Sequence, residues 1–437
     1  MHGDKRDNLR YRPACLWIWP ASALLVIGVS TAVGEDLHVA RSTPSPLEFK
    51  VRIIAGGPED FMEVHHLLLR GSNYEIGKKL AQIAHECHGS GPIPYADQRR
   101  TRSQLRYFEK YYPIHVERMR GAAAAFGQSL NNYGLNFAGL YHGFGRPGCT
   151  VIYYPPDATV NGHGVLSRNF DFPIGTFNST KAPEGQLPAC ARPNLIEMYP
   201  DKGYASLVMC CFDLLGGAID GINSEGLAIG VLADGEVIQE RGVDRAPGPQ
   251  AGFNEIQIVR YLLDTCADTE EAMDALLEAK LYYNMVPNHY IIADRHGRAF
   301  VWENSHTMHY GHVIPAGGSP LVTTNFMLHR HPDLSALPKE EHRLGHFNRF
   351  RDIRMRLKEH DGKFDRAFII DTSRCVARTT PPPPDPHVPN RTLWHALYYP
   401  EQRRLEIDFY LGEEADPAAA NGHKFRRTGY MEFTLEH

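Results

Sequence analysis

Cys149 follows a glycine at the start of an apolar run, and this position makes it a candidate nucleophile. Cleavage of the chain between Gly148 and Cys149 would leave the cysteine as an N-terminal residue. A free α-amino group titrates at about 7.7–8.0, so an N-terminal cysteine carries a general base beside its own thiol. Such a pair can cleave an amide through a thioester without a histidine partner. The alternative is a buried cysteine in a strand, which is the usual fate of free cysteines.

Two charged residues return toward this cysteine on the next predicted strand. Residues 148–171 contain an apolar strand, an Asn-Gly turn at 161–162 and a second strand that includes Arg168 and Asp171. Antiparallel pairing of the two strands would bring both charged side chains beside the cysteine. The local sequence therefore predicts a cluster of reactive and charged groups, although a structural ion pair across a hairpin would give the same pattern.

The predicted secondary structure around this hairpin changes at Cys149, from helices before it to mainly strands after it. Residues 74–87 place apolar side chains on one helical face, and residues 115–126 are rich in strong helix formers, so both are predicted helices. The chain after Cys149 consists mainly of short apolar runs with strand-turn-strand patterns, including predicted turns at 294–297 and 399–404. Helices and strands in separate blocks favour an α+β fold with sheets sandwiched by helices over alternating βαβ units.

Further helices are predicted within the strand-rich part. Residues 254–280 form two helices, and the second begins after Asp268, with Glu271 placed for a capping box. Residues 340–360 form a third helix. The segment 379–389 is rich in proline, which lacks an N–H group, so it is predicted to be an extended surface loop.

The composition fits an exported globular protein. Of 437 residues, 43% are hydrophobic and 22% are charged, as in average soluble proteins, and the net charge of -5 gives no basic surface for nucleic acid. Basic residues precede an apolar run at 14–33 and small residues end it, so residues 1–34 are predicted to be a signal peptide. A retained membrane anchor is the alternative. The expected location is periplasmic or extracellular, or the outer side of a membrane if the anchor is retained.

Eight cysteines are present, and six remain when Cys15 leaves with the signal peptide and Cys149 is reserved for catalysis. An exporting compartment would allow these six to form disulfides, whose pairing the sequence does not determine. Their spacing is irregular, and the chain contains no C-x-x-C and no H-E-x-x-H motif. We therefore expect no metal and no cofactor.

Six motifs occur in the order in which they occur in one family of enzymes. They are RGSNYEIGKKLA at 70–81, ERMRGAAAAFG at 117–127, Cys-Thr at 149–150 with Arg-Asn-x-Asp at 168–171, IDGINSEGLAIGVL at 219–232, VTTNF at 322–326 and NRTLWHALYYPEQRRLEI at 390–407. In these motifs the chain resembles the autoproteolytic N-terminal-nucleophile hydrolases of the penicillin acyltransferase (acyl-CoA:6-aminopenicillanate acyltransferase) type. Their relatives are the choloylglycine hydrolases, acid ceramidase and the N-acylethanolamine amidase. The resemblance covers about residues 65–412 and implies a four-layer αββα sandwich.

The resemblance implies a role for each matching residue of the site. Cys149 is the nucleophile, and the bond between Gly148 and Cys149 is the one cut in autocatalytic processing. Asp171 orients the new α-ammonium group, and Arg168 lies beside the thiolate. Asn325 donates its side-chain amide to the tetrahedral oxyanion.

Two further roles leave alternatives open. The second oxyanion donor is a backbone N–H near Ala233 or Asp234, and bile salt hydrolases have an asparagine where Ala233 lies, which makes bile salts a less favoured substrate. Arg391 matches the late arginine of the family, and Arg349 and Arg343 compete with it for this role.

The mature protein is expected to consist of two chains from one precursor, a helical α chain of residues 35–148 and a β chain of residues 149–437, which stay together. The expected reaction is hydrolysis of a linear, non-peptide N-acyl amide, because an exported enzyme meets water more readily than an acyl-CoA. Transfer of an acyl group from a thioester to an amine is the alternative, and an inactive binding protein that keeps the fold is a third. The sequence leaves the acyl group, the amine and any homo-oligomer open.

Overall fold

The computed structural model describes residues 46–142, 148–175, 190–238, 246, 248–284, 286–305, 310–340, 344–378, 390–418 and 422–436. The predicted signal peptide, the predicted loop at 379–389 and Arg343 lie outside these residues. Among the helices that the structure describes, none is long and apolar enough to cross a membrane. Because the predicted signal peptide is not among the described residues, export from the cytoplasm stays a prediction.

The described residues form eighteen strands and eight α-helices. The strands are β1 (Glu48–Gly56), β2 (Glu63–Gly71), β3 (Ile93–Pro94), β4 (Leu135–Asn136), β5 (Gly148–Tyr154), β6 (Val165–Pro173), β7 (Asn194–Pro200), β8 (Ser206–Cys210), β9 (Asp220–Asn223), β10 (Ala228–Ala233), β11 (Asn288–Ala293), β12 (Ala299–Asn304), β13 (Gly311–Pro315), β14 (Leu321–Thr323), β15 (Asn390–Tyr399), β16 (Arg404–Ala415), β17 (His423–Arg427) and β18 (Met431–Thr434). The helices are α1 (Asn73–His88), α2 (Gln98–Tyr111), α3 (Pro113–Ala125), α4 (Gly235–Ile238), α5 (Gln257–Thr265), α6 (Thr269–Glu278), α7 (His346–Glu359) and α8 (Arg366–Cys375).

Two large sheets lie at the centre of the fold. The larger has nine strands in the order β1-β2-β7-β8-β9-β10-β11-β12-β13, and within the described strands only β2 and β7 pair in parallel. The smaller has the order β14-β5-β6-β15-β16-β17, with β18 also paired to β16. Strand β5 of the smaller sheet contacts β10 of the larger, so the Cys149 hairpin faces the interior between the sheets.

Helices cover the outer face of each sheet. Helix α1 packs on β2 and α3, and α5 packs on β9 and β10, outside the larger sheet. Helix α7 packs on β14 and helix α8 packs on β6, both in the smaller sheet, and the two helices pack on each other. The layers are therefore helix, sheet, sheet and helix, and the expected α+β sandwich of four αββα layers is confirmed.

The predicted helices form where their end residues favour it. The helix predicted at 74–87 is α1, which begins after Ser72, whose hydroxyl caps the first turn, and ends before Gly89 at a φ of 63°. Helix α6 follows Asp268, whose carboxylate accepts hydrogen bonds at 3.0 Å from the backbone of Glu271 and of the residue before it. Local capping chemistry therefore accounts for both helix starts.

Helices α1 and α3 approach closely because a glycine lies at each contact. A Cβ atom on Gly77 would lie 2.1 Å from the carbonyl oxygen of Arg118, and one on Gly121 would lie 1.9 Å from that of Tyr74. No side chain fits there, because real Cβ atoms do not come within such distances of backbone. The first two motifs of the resemblance therefore encode a contact between two helix backbones.

The part of the chain before Cys149 contains strands as well as helices. Strands β1 and β2 precede α1 and join the larger sheet through β7. No strand is predicted there from the sequence, and in β2 two adjacent histidines interrupt the apolar pattern. His66 is nevertheless buried, and its Nε2 atom has a partner there, the carboxylate of Glu197 on β7, at 2.8 Å. Helices α2 and α8 are likewise absent from the sequence prediction.

Candidate active site

The Cys149 hairpin forms as predicted. Strands β5 and β6 pair antiparallel, with Gly148 opposite Asp171 and Val151 opposite Arg168. Side chains alternate along a strand, so Cys149, Val151 and Arg168 share the face toward the larger sheet, and Asp171 lies on the face toward the outer helices. Cys149 is completely buried. One hairpin thus places a cation on the thiol side and a carboxylate on the other.

Arg168 lies beside the thiol. Its Nη2 atom is 3.6 Å from Sγ of Cys149 and donates a hydrogen bond of 3.0 Å to the carbonyl oxygen of Val231. Its Nε atom lies 2.5 Å from Oδ2 of Asp220, and both side chains are fully buried. The guanidinium carbon lies 5.0 Å from the ring centre of Phe170. The cation is therefore fixed in one position by contacts on several sides.

Asp220 is the counter-ion of this arginine. Its other carboxylate oxygen accepts a hydrogen bond of 2.6 Å from the hydroxyl group of Tyr398 on β15. A buried guanidinium group without such a partner would be strongly unfavourable. Asp220 belongs to the motif at 219–232, so that motif supports the site as well as forming a hairpin.

Burial raises the pKa of the Cys149 thiol above its ordinary value, and the charge of Arg168 acts in the opposite direction without reversing the shift. The thiol of the uncut chain is therefore protonated at neutral pH. It must give up this proton, to a base or to solvent at higher pH, before it can act as a nucleophile.

Asp171 presents one satisfied and one unsatisfied oxygen. Its Oδ1 atom accepts a hydrogen bond of 2.6 Å from the hydroxyl group of Thr392. Its Oδ2 atom is buried and has no hydrogen-bond partner among the described residues. The guanidinium groups of Arg378 and Arg349 lie 3.7 and 3.8 Å from it, and a Cβ atom on Gly148 would lie 3.6 Å away. An acceptor thus borders the residue at which cleavage is expected.

Asn325 contacts the expected cleavage site directly. Its Oδ1 atom accepts hydrogen bonds of 2.7 Å from the backbone N–H of Cys149 and from Nη2 of Arg349. Its Nδ2 atom donates at 2.7 Å to the carbonyl oxygen of Ala233. Two donors on one side and an acceptor on the other fix the orientation of the amide.

Arg349 is the arginine that the structure brings to Cys149. Its Nη1 atom donates at 2.6 Å to both the carbonyl oxygen of Cys149 and the hydroxyl oxygen of Thr150. Its Nε atom donates at 3.1 Å to the carbonyl oxygen of Leu344. Burial, with the like charge of Arg378 as the next cause, lowers the pKa of Arg349 to about 10.

Arg391 lies elsewhere in the smaller sheet. It is paired with Phe172 across β15 and β6, and its guanidinium group forms an ion pair with Glu413 and donates at 2.9 Å to the carbonyl oxygen of Asn390. The structure therefore brings Arg349, and not Arg391, into contact with the nucleophile. The third competitor, Arg343, lies outside the described residues.

Ala233 and Asp234, the residues suggested to supply the second oxyanion donor, make different contacts in the structure. The N–H of Asp234 donates at 2.8 Å to the carbonyl oxygen of Pro287, and the carboxylate of Asp234 pairs with His289. The carbonyl group of Ala233 holds Asn325. In the uncut chain, the N–H of Asp234 is thus already used.

The sequence alone predicts no role for Thr392, Asp220 or Arg378, and it leaves Arg349 as one of three alternatives. Thr392 follows Arg391 directly, and Arg349 shares the buried helical face of Ile353, which lies four residues later, so periodicity offers a signal for it. Asp220 lies within a recognised motif. Arg378 precedes the proline-rich segment and carries no local signal.

The described residues contain no group of three or more histidine, cysteine or acidic side chains arranged to hold a metal ion. The cysteines that the structure describes are free thiols, namely Cys87, Cys149, Cys190, Cys210, Cys211, Cys266 and Cys375.

A sequence model of the family described as acyl-coenzyme A:6-aminopenicillanic acid acyl-transferase matches residues 159–414, more than half of the chain. The chain belongs to this family. The expected resemblance is thereby confirmed, and the protein is an enzyme that acts on amide bonds. The matched residues include Arg168, Asp171 and Asn325 but begin after Cys149, so the role of the cysteine is not part of the match.

Comparison with solved structures gives distant similarities. A mutant conjugated bile acid hydrolase from Clostridium perfringens has 15% sequence identity and a TM-score of 0.42, over 64% of this chain and 96% of that chain. Penicillin V acylase from Agrobacterium tumefaciens has 17% identity and a TM-score of 0.40, over 60% and 82%. A Caenorhabditis elegans ortholog of N-acylethanolamine-hydrolyzing acid amidase has 17% identity and a TM-score of 0.32, over 58% and 93%. No curated protein sequence matches significantly. Similarity at this level says nothing about the substrate.

Proposed function

We propose that this acyl-transferase family member is a self-processing hydrolase of the N-terminal-nucleophile type, with Cys149 as nucleophile in its own cleavage and in catalysis. The observation that supports this most directly is the environment of the bond between Gly148 and Cys149. Arg168 lies 3.6 Å from the thiol on one face, and Asp171 offers a buried, unsatisfied oxygen on the other. The positive charge of Arg168 would stabilise a thiolate, and the free oxygen of Asp171 would accept a hydrogen bond from the new α-ammonium group.

Processing begins when Sγ of Cys149 attacks the carbonyl carbon of Gly148. A C–S bond forms, the C–N bond breaks, and the proton that the thiol gives up passes to the nitrogen of Cys149, which becomes an α-amine. Water then hydrolyses the thioester to a Gly148 carboxylate and a free thiol. Arg349 holds the carbonyl group of Cys149, and Asn325 accepts from its N–H, so the bond is fixed for attack.

Catalysis uses the same groups on a substrate amide. The α-amine of Cys149 takes the thiol proton, the thiolate forms an acyl thioester, and the amine product leaves with the proton. Asp171 orients the α-amine, and Arg168 favours the charged sulfur. Asn325 uses one hydrogen of Nδ2 for Ala233, and the second is a donor for the oxyanion. Water then releases the acid.

The two chains produced by processing are proposed to stay together. Strand β2 precedes the cut and pairs with β7, which follows it. Arg118 on α3 and Asp264 on α5 also lie on opposite sides of the cut, and they form a fully buried ion pair of 2.5 Å. Separation of the chains would expose a sheet edge and two buried charges.

The proposed substrate is a linear, non-peptide N-acyl amide, and water is the proposed acyl acceptor because the chain is expected outside the cytoplasm. Acyl transfer from a thioester to an amine is the second candidate, and it is favoured by the match to a family of acyl-transferases. A panel of N-acyl amides and acyl thioesters, each with and without added amine acceptors, separates the two, since transfer from a thioester gives a new amide and hydrolysis of an amide gives a free acid.

The decisive experiment compares purified wild-type protein with Cys149→Ala by intact mass and gel electrophoresis. We expect two fragments from the wild type, the second beginning at Cys149, and a single chain from the variant. A folded wild-type protein that stays uncut would contradict the proposal. Thermal unfolding of the Cys149→Ala protein serves as the folding control.

A further inference from the structure

We propose that Arg378 is a carboxylate-binding residue whose ligand is the carboxylate that self-cleavage creates on Gly148. This rests on the proposed function, since the carboxylate exists only after the cut. Arg378 follows α8 and lies on the side of the hairpin that carries Asp171, away from the thiol. Its side chain is 17% exposed, so it lies at the edge of the buried site.

A shared hydroxyl group holds Arg378 beside the scissile residue. The oxygen of Thr392 accepts a hydrogen bond of 2.8 Å from the backbone N–H of Arg378 and donates at 2.6 Å to Oδ1 of Asp171. A Cβ atom on Gly148 would lie 3.8 Å from Nη2 of Arg378. The guanidinium group therefore borders Gly148 itself.

The guanidinium group of Arg378 lacks a full set of partners within the described part of the chain. Its Nε atom is buried without a hydrogen bond, and its distance of 3.7 Å to Oδ2 of Asp171 is too long for one. Arg349 lies 3.8 Å from the same oxygen, so two cations share one carboxylate. A second carboxylate would satisfy the free donors and reduce the repulsion between the two arginines.

Self-cleavage supplies such a carboxylate at this place. Hydrolysis of the thioester replaces the C–S bond of Gly148 with a C–O bond from water, and the sulfur regains a proton. The new terminus carries one negative charge and begins next to Arg378. Two parallel N–H···O bonds from the guanidinium group would hold it as a bound product.

The test measures how well the new terminus is protected from a carboxypeptidase. Processed wild-type protein, Arg378→Gln and Arg378→Lys are incubated with the protease, and loss of Gly148 from the α chain is followed by intact mass. The matched control is Arg374→Gln, because Arg374 lies four residues earlier and is 60% exposed. The free peptide Gly-Phe-Gly-Arg-Pro-Gly, the sequence of 143–148, gives the rate for an unbound terminus.

We expect wild type and Arg374→Gln to lose Gly148 at least about tenfold more slowly than the peptide, as a charge-assisted hydrogen bond implies. Arg378→Gln is expected to approach the peptide rate, with Arg378→Lys between them. Equal protection of Arg378→Gln and wild type would overturn the proposal. A wild-type terminus that is trimmed as fast as the free peptide would also overturn the proposal. This second outcome depends only on the wild-type protein, so it holds even if a variant fails to fold.

The two proposals fail in different ways. A wild-type chain that is never cut contradicts the proposed function and leaves no terminus to protect. A chain cut before Cys149 whose terminus is unprotected contradicts only the assignment of Arg378.

Discussion

The Nη1 atom of Arg349 lies 2.6 Å from the carbonyl oxygen of Cys149, so a helix of the outer layer holds the backbone of the proposed nucleophile. The same guanidinium group donates to Asn325, which in turn accepts from the N–H of Cys149. Both sides of this residue's backbone are thereby tied to one planar cation. Lysine has a single nitrogen and does not reproduce this geometry.

Replacement of Arg349 by lysine is expected to slow processing by about tenfold to a hundredfold, because hydrogen bonds from a charged group are lost. The measurement is the first-order rate of precursor cleavage on gels. Arg354→Lys on the exposed side of the same helix serves as the control. Arg391→Lys is expected to have a smaller effect, since Arg391 pairs with Glu413 instead. If Arg391→Lys slowed precursor cleavage and Arg349→Lys did not, Arg391 would be the arginine that supports processing.

Asn325→Asp separates two roles of that side chain. Aspartate keeps an acceptor for the N–H of Cys149 and for Arg349 but removes the amide donor. If the donor stabilises the oxyanion, kcat on an amide substrate falls by about a hundredfold to a thousandfold while KM changes little. Asn325→Ala, which also loses the acceptor, is the comparison. Equal kcat in Asn325→Asp and wild type would show that the amide only positions the backbone.

The contacts within the hairpin were predictable because they are local. Cys149, Arg168 and Asp171 lie on two strands joined by one turn, and the period of two along each strand decides which side chains share a face. The capping residues of α1 and α6 are local in the same sense. These parts of the structure required no knowledge of the rest of the chain.

The remaining contacts come from elements that are distant in sequence. Thr392 and Asp220 reach the hairpin from β15 and β9, and Arg378 from the end of α8. Their role depends on how sheets and helices stack, which no local pattern specifies. In helix α7 the period places Arg349 on the face of Ile353, but that this face meets β14 and α8 follows only from packing.

The rate of processing is expected to increase with pH. Burial raises the pKa of the Cys149 thiol, so the neutral thiol predominates at pH 7 and each step toward alkaline pH increases the reactive thiolate. The cleavage rate of freshly refolded precursor should therefore rise between about pH 6 and pH 9. Cys149→Ser, whose hydroxyl group does not ionise in this range, provides the comparison. A rate for the wild type that is flat over this range would contradict attack by the thiolate.

Acid is expected to destabilise the fold through buried neutral histidines. Burial lowers the pKa of His115 to about 4 and that of His395 to about 3. An unfolded histidine takes up a proton near pH 6.5, so between pH 6.5 and 4 the unfolded chain binds protons that the folded chain does not. Stability therefore falls as pH decreases through this window, by about 3 kcal/mol for His115. His115→Gln should flatten the pH dependence of urea unfolding, whereas His423→Gln, at an exposed position, should not.

Gly121→Ala tests the contact between α1 and α3. Alanine favours a helix over glycine by about 1 kcal/mol, so propensity alone predicts a stabilised protein. The added Cβ atom would lie 1.9 Å from the carbonyl oxygen of Tyr74 and 2.7 Å from the backbone nitrogen of Lys78, and backbone atoms cannot rotate away. The helices must separate, which also strains the buried pair of Arg118 and Asp264.

We therefore expect Gly121→Ala to lower the free energy of unfolding by about 1–3 kcal/mol or more, the usual effect of overpacking. Urea unfolding is best measured in the uncut Cys149→Ala background, where both parts of the fold remain one chain. Ala124→Gly on the exposed side of α3 gives the propensity effect alone, a loss of about 1 kcal/mol. A Gly121→Ala protein more stable than its parent would show that the two helices are not in backbone contact.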